Sequence, residues 1–108
     1  MLDIDDLVKF ARKKEEEIQK LFDNKLDRDK RVLLQLAKMS EETGELIKEV
    51  LKTINMVREE KMDVNNIQKI ESELADVIIT AIITAEVLNL DLEQLLEKRI
   101  SELNNRVC

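Results

Sequence analysis

Two groups of acidic residues are the strongest candidates for chemistry in this chain. Glu41, Glu42 and Glu45 lie in a Glu-Glu-Thr-Gly-Glu run, and Glu73 and Asp76 lie in a Glu-Leu-Ala-Asp run. Carboxylates three residues apart on a helix project from the same face, so two such pairs on neighbouring helices can converge on one hard cation. The spacing predicts a site for a divalent metal ion.

The available ligand types favour magnesium. Mg²⁺ takes one or two carboxylates together with waters and substrate phosphate oxygens. The chain has no His and a single Cys, Cys108, so a zinc or di-iron site is not expected, whereas Mn²⁺ remains an alternative. Because no serine lies beside an activating partner, we expect metal-activated water as the nucleophile.

The same acidic residues also have an ordinary structural interpretation. Glu is common on solvated helix faces, and those of the first group can pair with nearby lysines such as Lys38 or Lys48. Asp76 precedes an apolar stretch, so we expect it to be buried, where a carboxylate pairs with a base, neutralises or binds metal. For Asp76 the structural alternative is a buried ion pair with Arg31 or Lys69.

Length and composition predict one all-α domain spanning residues 1–108. The chain has no Pro, one Gly and two aromatic residues, and it is 39% charged and 44% hydrophobic, which suits amphipathic helices and argues against disorder. The net charge of −6 argues against binding to a nucleic-acid polymer. A divalent cation would let so acidic a protein handle an anionic metabolite.

No membrane role is expected from the sequence. The longest apolar run, residues 77–85, is far shorter than the ~20 residues that a bilayer span needs. The first residues lack the pattern of a signal peptide, and the lone Cys cannot form an internal disulfide, so the expected location is the cytoplasm.

Four helices are predicted to position the acidic residues. The first is capped by Asp3, Asp5 or Asp6, ends near residue 21 or 22, and is followed by a turn at residues 23–24. The second begins near residue 27 or 28 and carries a seam that we expect to pack against other helices. The seam comprises Leu33, Leu36, Ser40, Thr43, Ile47, Val50, Ile54 and Val57. Gly44 costs helix stability by ~1 kcal/mol relative to Ala and suggests close approach of a helix or ligand.

The third helix is predicted to start at a cap among Asp63, Asn65 and Asn66 and to end before Asn89. Asp91 and Gln94 form a capping box for a fourth helix. Its predicted inner side comprises Leu92, Leu95, Leu96, Ile100 and Leu103. Short connections predict a four-helix bundle. Because residues 74–90 are apolar almost all round, we expect a homodimer or a dimer of dimers to cover the third helix.

The two acidic motifs, followed by Leu88-Asn89-Leu90-Asp91-Leu92-Glu93, resemble the MazG-like all-α NTP pyrophosphatases over roughly residues 30–106. The family signature is EExxE followed at a variable distance by ExxD. The resemblance implies a MazG-like four-helix bundle and a Mg²⁺-dependent hydrolase that cuts a nucleoside triphosphate between the α and β phosphates. The products are the monophosphate and pyrophosphate, and the expected role is nucleotide-pool house-cleaning.

The resemblance also implies roles for individual residues. The metal ligands would be Glu42, Glu45, Glu73 and Asp76, and Glu41 would support them or orient the attacking water. Basic and amide groups of the last helix would bind the phosphates; the candidates are Lys98, Arg99, Asn105 and Arg106, whose spacing matches the family pattern imperfectly. A cationic last turn is also ordinary complementation of the helix dipole. Some relatives stack the base on an aromatic ring, but Phe10 and Phe22 are expected in the core.

Three other functions compete with this interpretation. One is the phosphoribosyl-ATP pyrophosphohydrolase step of histidine synthesis, which uses a similar motif. Another is a non-catalytic helical interaction module, whose mark would be an apolar stripe left exposed after folding. A family member that has kept the fold and lost activity lies between these classes.

Overall fold

Helices account for the regular structure in the computed structural model, which describes residues 1–57 and 64–106. The four helices of these ranges are α1 (Ile4–Leu21), α2 (Arg28–Val57), α3 (Val64–Val87) and α4 (Leu92–Asn104). No strand occurs within the described ranges, so the predicted all-α class is confirmed. None of these helices is long and apolar enough to cross a membrane.

The first two helix boundaries follow from local side-chain chemistry. Asp3 caps α1 through a reciprocal capping box: its carboxylate accepts from the Asp6 backbone N–H at 2.9 Å, and the Asp6 carboxylate accepts from the Asp3 N–H at 3.1 Å. Asp23 and Asn24 adopt left-handed φ values of 54° and 58° and make the predicted turn. The Asp27 carboxylate accepts from the Lys30 N–H at 2.9 Å and caps α2.

The end of α3 and the start of α4 agree with the prediction. Asn89 has φ 58° just after α3, and the Asp91 carboxylate accepts from the Gln94 N–H at 3.0 Å to cap α4. The candidate cap Asp63 lies outside the described residues. Asn65 and Asn66 lie inside α3, so neither is its cap.

The chain divides into two compact units. The terminal unit comprises Met1–Val32 and Ile82–Cys108, and the central unit comprises Leu33–Ala81. The buried hydrophobic residues of the described ranges all belong to the terminal unit; they are Ala11, Ile83, Ala85, Val87 and Leu92. In this unit α1 packs against α4, Arg12 Nε contacts Glu86 Oε1 at 2.6 Å, and Arg31 pairs with Glu15.

The central unit buries polar side chains instead. Its buried residues in the described ranges are Gln35, Glu49, Thr53 and Thr80. The side chain of Val57 lies outside the described residues, but the other residues of the predicted α2 seam are mostly exposed, with Leu33 at 64% and Ile47 at 52% exposure. The expected packing of this seam against other helices is therefore wrong for the described part of one chain. The spacing was helical, but the face of α2 that turns inward is the one carrying Gln35 and Glu49.

Two other expectations of burial are also wrong. On α4 the first-turn Leu92 is buried, but Leu96, Ile100 and Leu103 are exposed. Phe10 and Phe22 are exposed as well, and the Lys14 ammonium lies 5.6 Å from the centre of the Phe10 ring. A chain this short cannot cover every apolar face of its helices.

Candidate metal centre

Three carboxylates of the central unit come together between α2 and α3. Glu42 on α2 and Glu73 and Asp76 on α3 can each offer one oxygen, and these oxygens lie within 4.8 Å of one another. Glu42 and Glu73 are half-buried and Asp76 is exposed. The group contains three of the four residues predicted as metal ligands.

The antiparallel direction of the two helices produces this meeting. Glu42 on α2 lies near Asp76 on α3. Two turns after Glu42 along α2, Glu49 pairs with Lys69, which lies two turns before Asp76 along α3. Side chains at helical spacing on one helix therefore face side chains at the same spacing on the other. The acidic motifs meet because the α2 motif and the α3 motif occupy matching levels.

Glu73 experiences the crowding of negative charge most strongly. Burial, followed by the negative charges of Glu42, Glu45, Asp76 and Glu49, raises the pKa of the Glu73 carboxyl above its ordinary value. Like charges held together disfavour ionisation, and a bound cation removes that penalty. The cluster therefore has an electrostatic reason to take up a cation.

Glu45 and Glu41 lie outside the three-carboxylate group. Glu45 is exposed on α2, one turn from Glu42, and close enough for its charge to act on Glu73. Glu41 is exposed on the same helix. The expected role of Glu45 as a metal ligand, and the expected roles of Glu41, Glu42 and Glu45 as catalytic groups, remain predictions.

The donor set of the cluster fits a hard divalent cation. Its donors are carboxylate oxygens, the ligand type that Mg²⁺ and Mn²⁺ prefer. Among the described residues, Lys38 and Lys48 form none of the ion pairs that were the alternative explanation for the glutamates. Solvated acidic residues are common without a metal, so these oxygens define a candidate site.

Asp76 is where the expectation of burial fails. Its side chain is exposed, as are those of Leu74, Ala75 and Ile78, so the apolar sequence around Asp76 does not form a buried face of α3 there. The ion pairs considered for Asp76 are not formed either. Arg31 pairs with Glu15, and Lys69 Nζ lies 3.3 Å from Glu49 Oε1.

The candidate phosphate-binding residues belong to the terminal unit. Lys98 and Arg99 are exposed on α4, Asn105 is the residue at its C-cap, and Arg106 is exposed just after it. Arg99 Nη1 lies 3.5 Å from Glu102 Oε2. Their role toward a phosphate remains a prediction.

Sequence reasoning missed the pairing of Glu49 with Lys69. Glu49 continues the acidic stripe of α2, and Lys69 was considered only as a partner for Asp76. A usable signal was present, since Glu49 follows Glu45 by one turn and Lys69 precedes Glu73 by one turn. Matching the two helices in antiparallel register would have paired them.

The fold and the cluster together define a class of protein: an all-α protein with a candidate centre for a hard metal ion on two antiparallel helices, α2 and α3. A family model of the MazG nucleotide pyrophosphohydrolase domain matches residues 31–107, and the chain belongs to this family. The match runs from the start of α2 through α4, includes all five motif carboxylates, and confirms the resemblance. Neither the curated proteins nor the solved structures give a significant match.

Family membership fixes the general function. It supports a nucleotide pyrophosphohydrolase, and the family generally depends on divalent metal ions. The bond that is cleaved, the metal ion that is used and the assembly that forms are finer properties than the family match defines.

Proposed function

We propose that this protein is a Mg²⁺-dependent nucleoside triphosphate pyrophosphohydrolase. It would cleave between the α and β phosphates, releasing a nucleoside monophosphate and pyrophosphate, in the house-cleaning of nucleotide pools. The observation that carries the proposal is the meeting of Glu42, Glu73 and Asp76 within 4.8 Å in a chain of the MazG family. The placement of these residues agrees with the family's dependence on divalent metal.

Each acidic residue has a role in this proposal. Glu42, Glu73 and Asp76 hold the cation, Glu45 completes the ligand set from the same face of α2 as Glu42, and Glu41 helps to orient the attacking water. When bound there, a divalent cation supplies polarisation of phosphate oxygens and a more acidic water. Mn²⁺ has the same ligand preferences and is expected to substitute.

Charge balance supports a cation in this role. The chain carries a net charge of −6, and both the cluster and a triphosphate are negative, so the two repel each other without a cation. We assign Lys98, Arg99, Asn105 and Arg106 as candidates for neutralising and hydrogen-bonding the phosphates. Replacing Arg106 with Gln should then raise KM more than it lowers kcat.

The direct test is hydrolysis of a nucleotide panel in Mg²⁺. Canonical and oxidised nucleoside triphosphates, together with phosphoribosyl-ATP, are incubated with the protein and scored for pyrophosphate, and the organic product is identified by mass. We expect pyrophosphate and a monophosphate from at least one triphosphate. Turnover of phosphoribosyl-ATP alone, or release of inorganic phosphate, would contradict the proposal.

Variants of the acidic residues test whether the hydrolytic activity depends on the proposed metal ligands. Asp76→Asn and Glu45→Gln should each reduce turnover by about 100-fold or more, because loss of a metal ligand exceeds the 10–100-fold cost of losing its supporting hydrogen bonds. Glu71→Gln is the matched control, since Glu71 is an exposed α3 glutamate outside the cluster. Circular dichroism checks that each variant is folded. Full activity in both Asp76→Asn and Glu45→Gln would reject the assignment.

The assembly we propose is a homodimer, as a simple dimer or within a dimer of dimers. It is supported by the exposed apolar side chains of α2 in the central unit, where Leu36, Ile47 and Ile54 are each about half exposed. The same feature would mark a non-catalytic interaction module, but family membership favours the enzyme. Titration with Mg²⁺ separates the two, since the interaction module would show no heat of binding.

A further inference from the structure

The ion pair between Glu49 and Lys69 lies at the level next to the acidic cluster, in the same central unit. Lys69 Nζ is 3.3 Å from Glu49 Oε1. The Glu49 side chain is only 8% exposed, whereas that of Lys69 is 57% exposed. A divalent ion held by the neighbouring cluster would compete with Lys69 for this buried carboxylate.

Register places this pair within electrostatic reach of the candidate ligands. Glu49 follows Glu45 by one turn of α2, and Lys69 precedes Glu73 by one turn of α3. The charge of Glu49 is among those that act on Glu73. Glu49 is therefore a further carboxylate beside the cluster, and Lys69 is the cation that offsets it.

We propose that Lys69 is a positioning residue of the metal centre, which holds Glu49 in an ion pair and so keeps this carboxylate from becoming an additional cation ligand. The pair thereby sets the negative charge of the centre and its affinity for a divalent cation. This inference rests on the proposed function, because it presupposes that the cluster binds a cation.

Removing the charge of Lys69 and removing the charge of Glu49 should change the affinity for a cation in opposite directions. Removing the Lys69 charge leaves Glu49 unpaired and the centre more negative, so cation affinity rises. Removing the Glu49 charge leaves Lys69 free to compete with a cation for Glu45 and Glu73, so cation affinity falls. A unit charge one to two helical turns from a divalent ion changes its affinity by roughly three- to tenfold in a well-hydrated setting. Removing both charges restores the original net charge of the centre, so cation affinity should return to near its original value.

The experiment is calorimetric titration of the full chain with Mg²⁺ alone. We compare the unaltered protein with Lys69→Met, Glu49→Gln, the double variant and Lys69→Arg, which restores the charge. Lys13→Met is the control for a simple change in net charge, because Lys13 is exposed on α1 and forms none of the ion pairs in the described residues. Thermal unfolding is recorded in parallel.

The expected result is tighter Mg²⁺ binding for Lys69→Met, weaker binding for Glu49→Gln, and near-original binding for the double variant and for Lys69→Arg. A pair that only stabilises the fold would lower the unfolding temperature in both single variants without changing Mg²⁺ affinity, which would overturn the inference. If the unaltered protein binds no Mg²⁺, the proposed function itself fails. If it binds Mg²⁺ and the single variants match it, the positioning role alone is rejected.

Discussion

At the scale of single residues, Glu73 combines a predicted cost to stability with a proposed role as a cation ligand. It is half-buried among four other carboxylates, and these surroundings raise its pKa. Charges that repel one another in the folded chain oppose folding, and they become useful only when a cation binds between them. Glu73 should therefore be a residue whose neutralisation helps the metal-free protein and harms the metal-bound one.

The variant Glu73→Gln tests this trade. Without metal, its unfolding temperature should equal or exceed that of the unaltered protein, because repulsion from Glu42 and Asp76 is removed. Saturating Mg²⁺ should stabilise the unaltered protein and leave the variant unchanged. Differential scanning calorimetry with and without Mg²⁺ measures both effects, with Glu71→Gln as the control. Equal stabilisation of the variant by Mg²⁺ would exclude Glu73 as a ligand.

A pH dependence follows from the same residue. Because the folded-state pKa of Glu73 is raised, its contribution to stability is fully present below the unfolded-state pKa and is lost as pH rises through the folded-state pKa. In EDTA, the stability advantage of Glu73→Gln over the unaltered protein should therefore grow from acidic toward neutral pH. Thermal unfolding across this range measures the difference. A constant difference would show that crowding does not perturb Glu73.

At the scale of the helices, α2 carries two distinct faces. One bears Glu42 and Glu49, which meet groups of α3, and the other bears exposed apolar residues of the predicted seam. Gly44 lies between the acidic residues in sequence, and a Cβ added there meets no described atom within 4 Å. The predicted close approach to Gly44 is therefore not made within the described part of one chain.

Replacing Gly44 with Ala distinguishes a solvent-exposed glycine from one at an interface. If nothing approaches Gly44 in the assembly, the variant should be more stable by about 1 kcal/mol, the helix-propensity difference between Gly and Ala. If a second copy packs closely there, the variant should lower dimer affinity. Denaturant unfolding at several protein concentrations separates these outcomes, because only the second depends on concentration.

At the scale of the whole molecule, the exposure of large apolar side chains to water is the main feature that a single copy of the chain leaves unfavourable. Leu33, Ile47 and Leu51 on α2 and Leu74 and Ile78 on α3 are all about half or more exposed. Exposed apolar side chains of this kind fit the homodimer proposed above. A second copy of the chain would cover them with equivalent surface, as in a two-fold symmetric dimer.

Ile47→Glu should weaken that assembly. A charge placed in an apolar interface loses hydration without gaining a partner, so we expect the variant to sediment as a monomer at concentrations where the unaltered protein is a dimer. Lys48→Glu is the control, because it changes charge at the neighbouring exposed position. Sedimentation velocity measures both. A monomeric unaltered protein at working concentrations would contradict the dimer.

The sequence alone determined the features that depend on local interactions. Asp3 and Asp91 cap their helices as side-chain chemistry predicted, and α2 begins at Arg28, within its predicted bounds, because capping involves residues only three positions apart. Helical class followed from composition and periodicity. The acidic motifs identified the family because their order along the chain is itself a linear property.

Only the tertiary structure decided which face of each helix turns inward and which charges become neighbours. Periodicity defines a stripe but not the direction it faces, so the exposed seam of α2 and the exposed Asp76 were predicted as packed or buried. The partner of Lys69 depended on the register of α2 against α3, and register is set by long-range packing. The sequence supplied the carboxylates, and the antiparallel helices determined that Glu42, Glu73 and Asp76 share one site while Glu49 is held by a lysine.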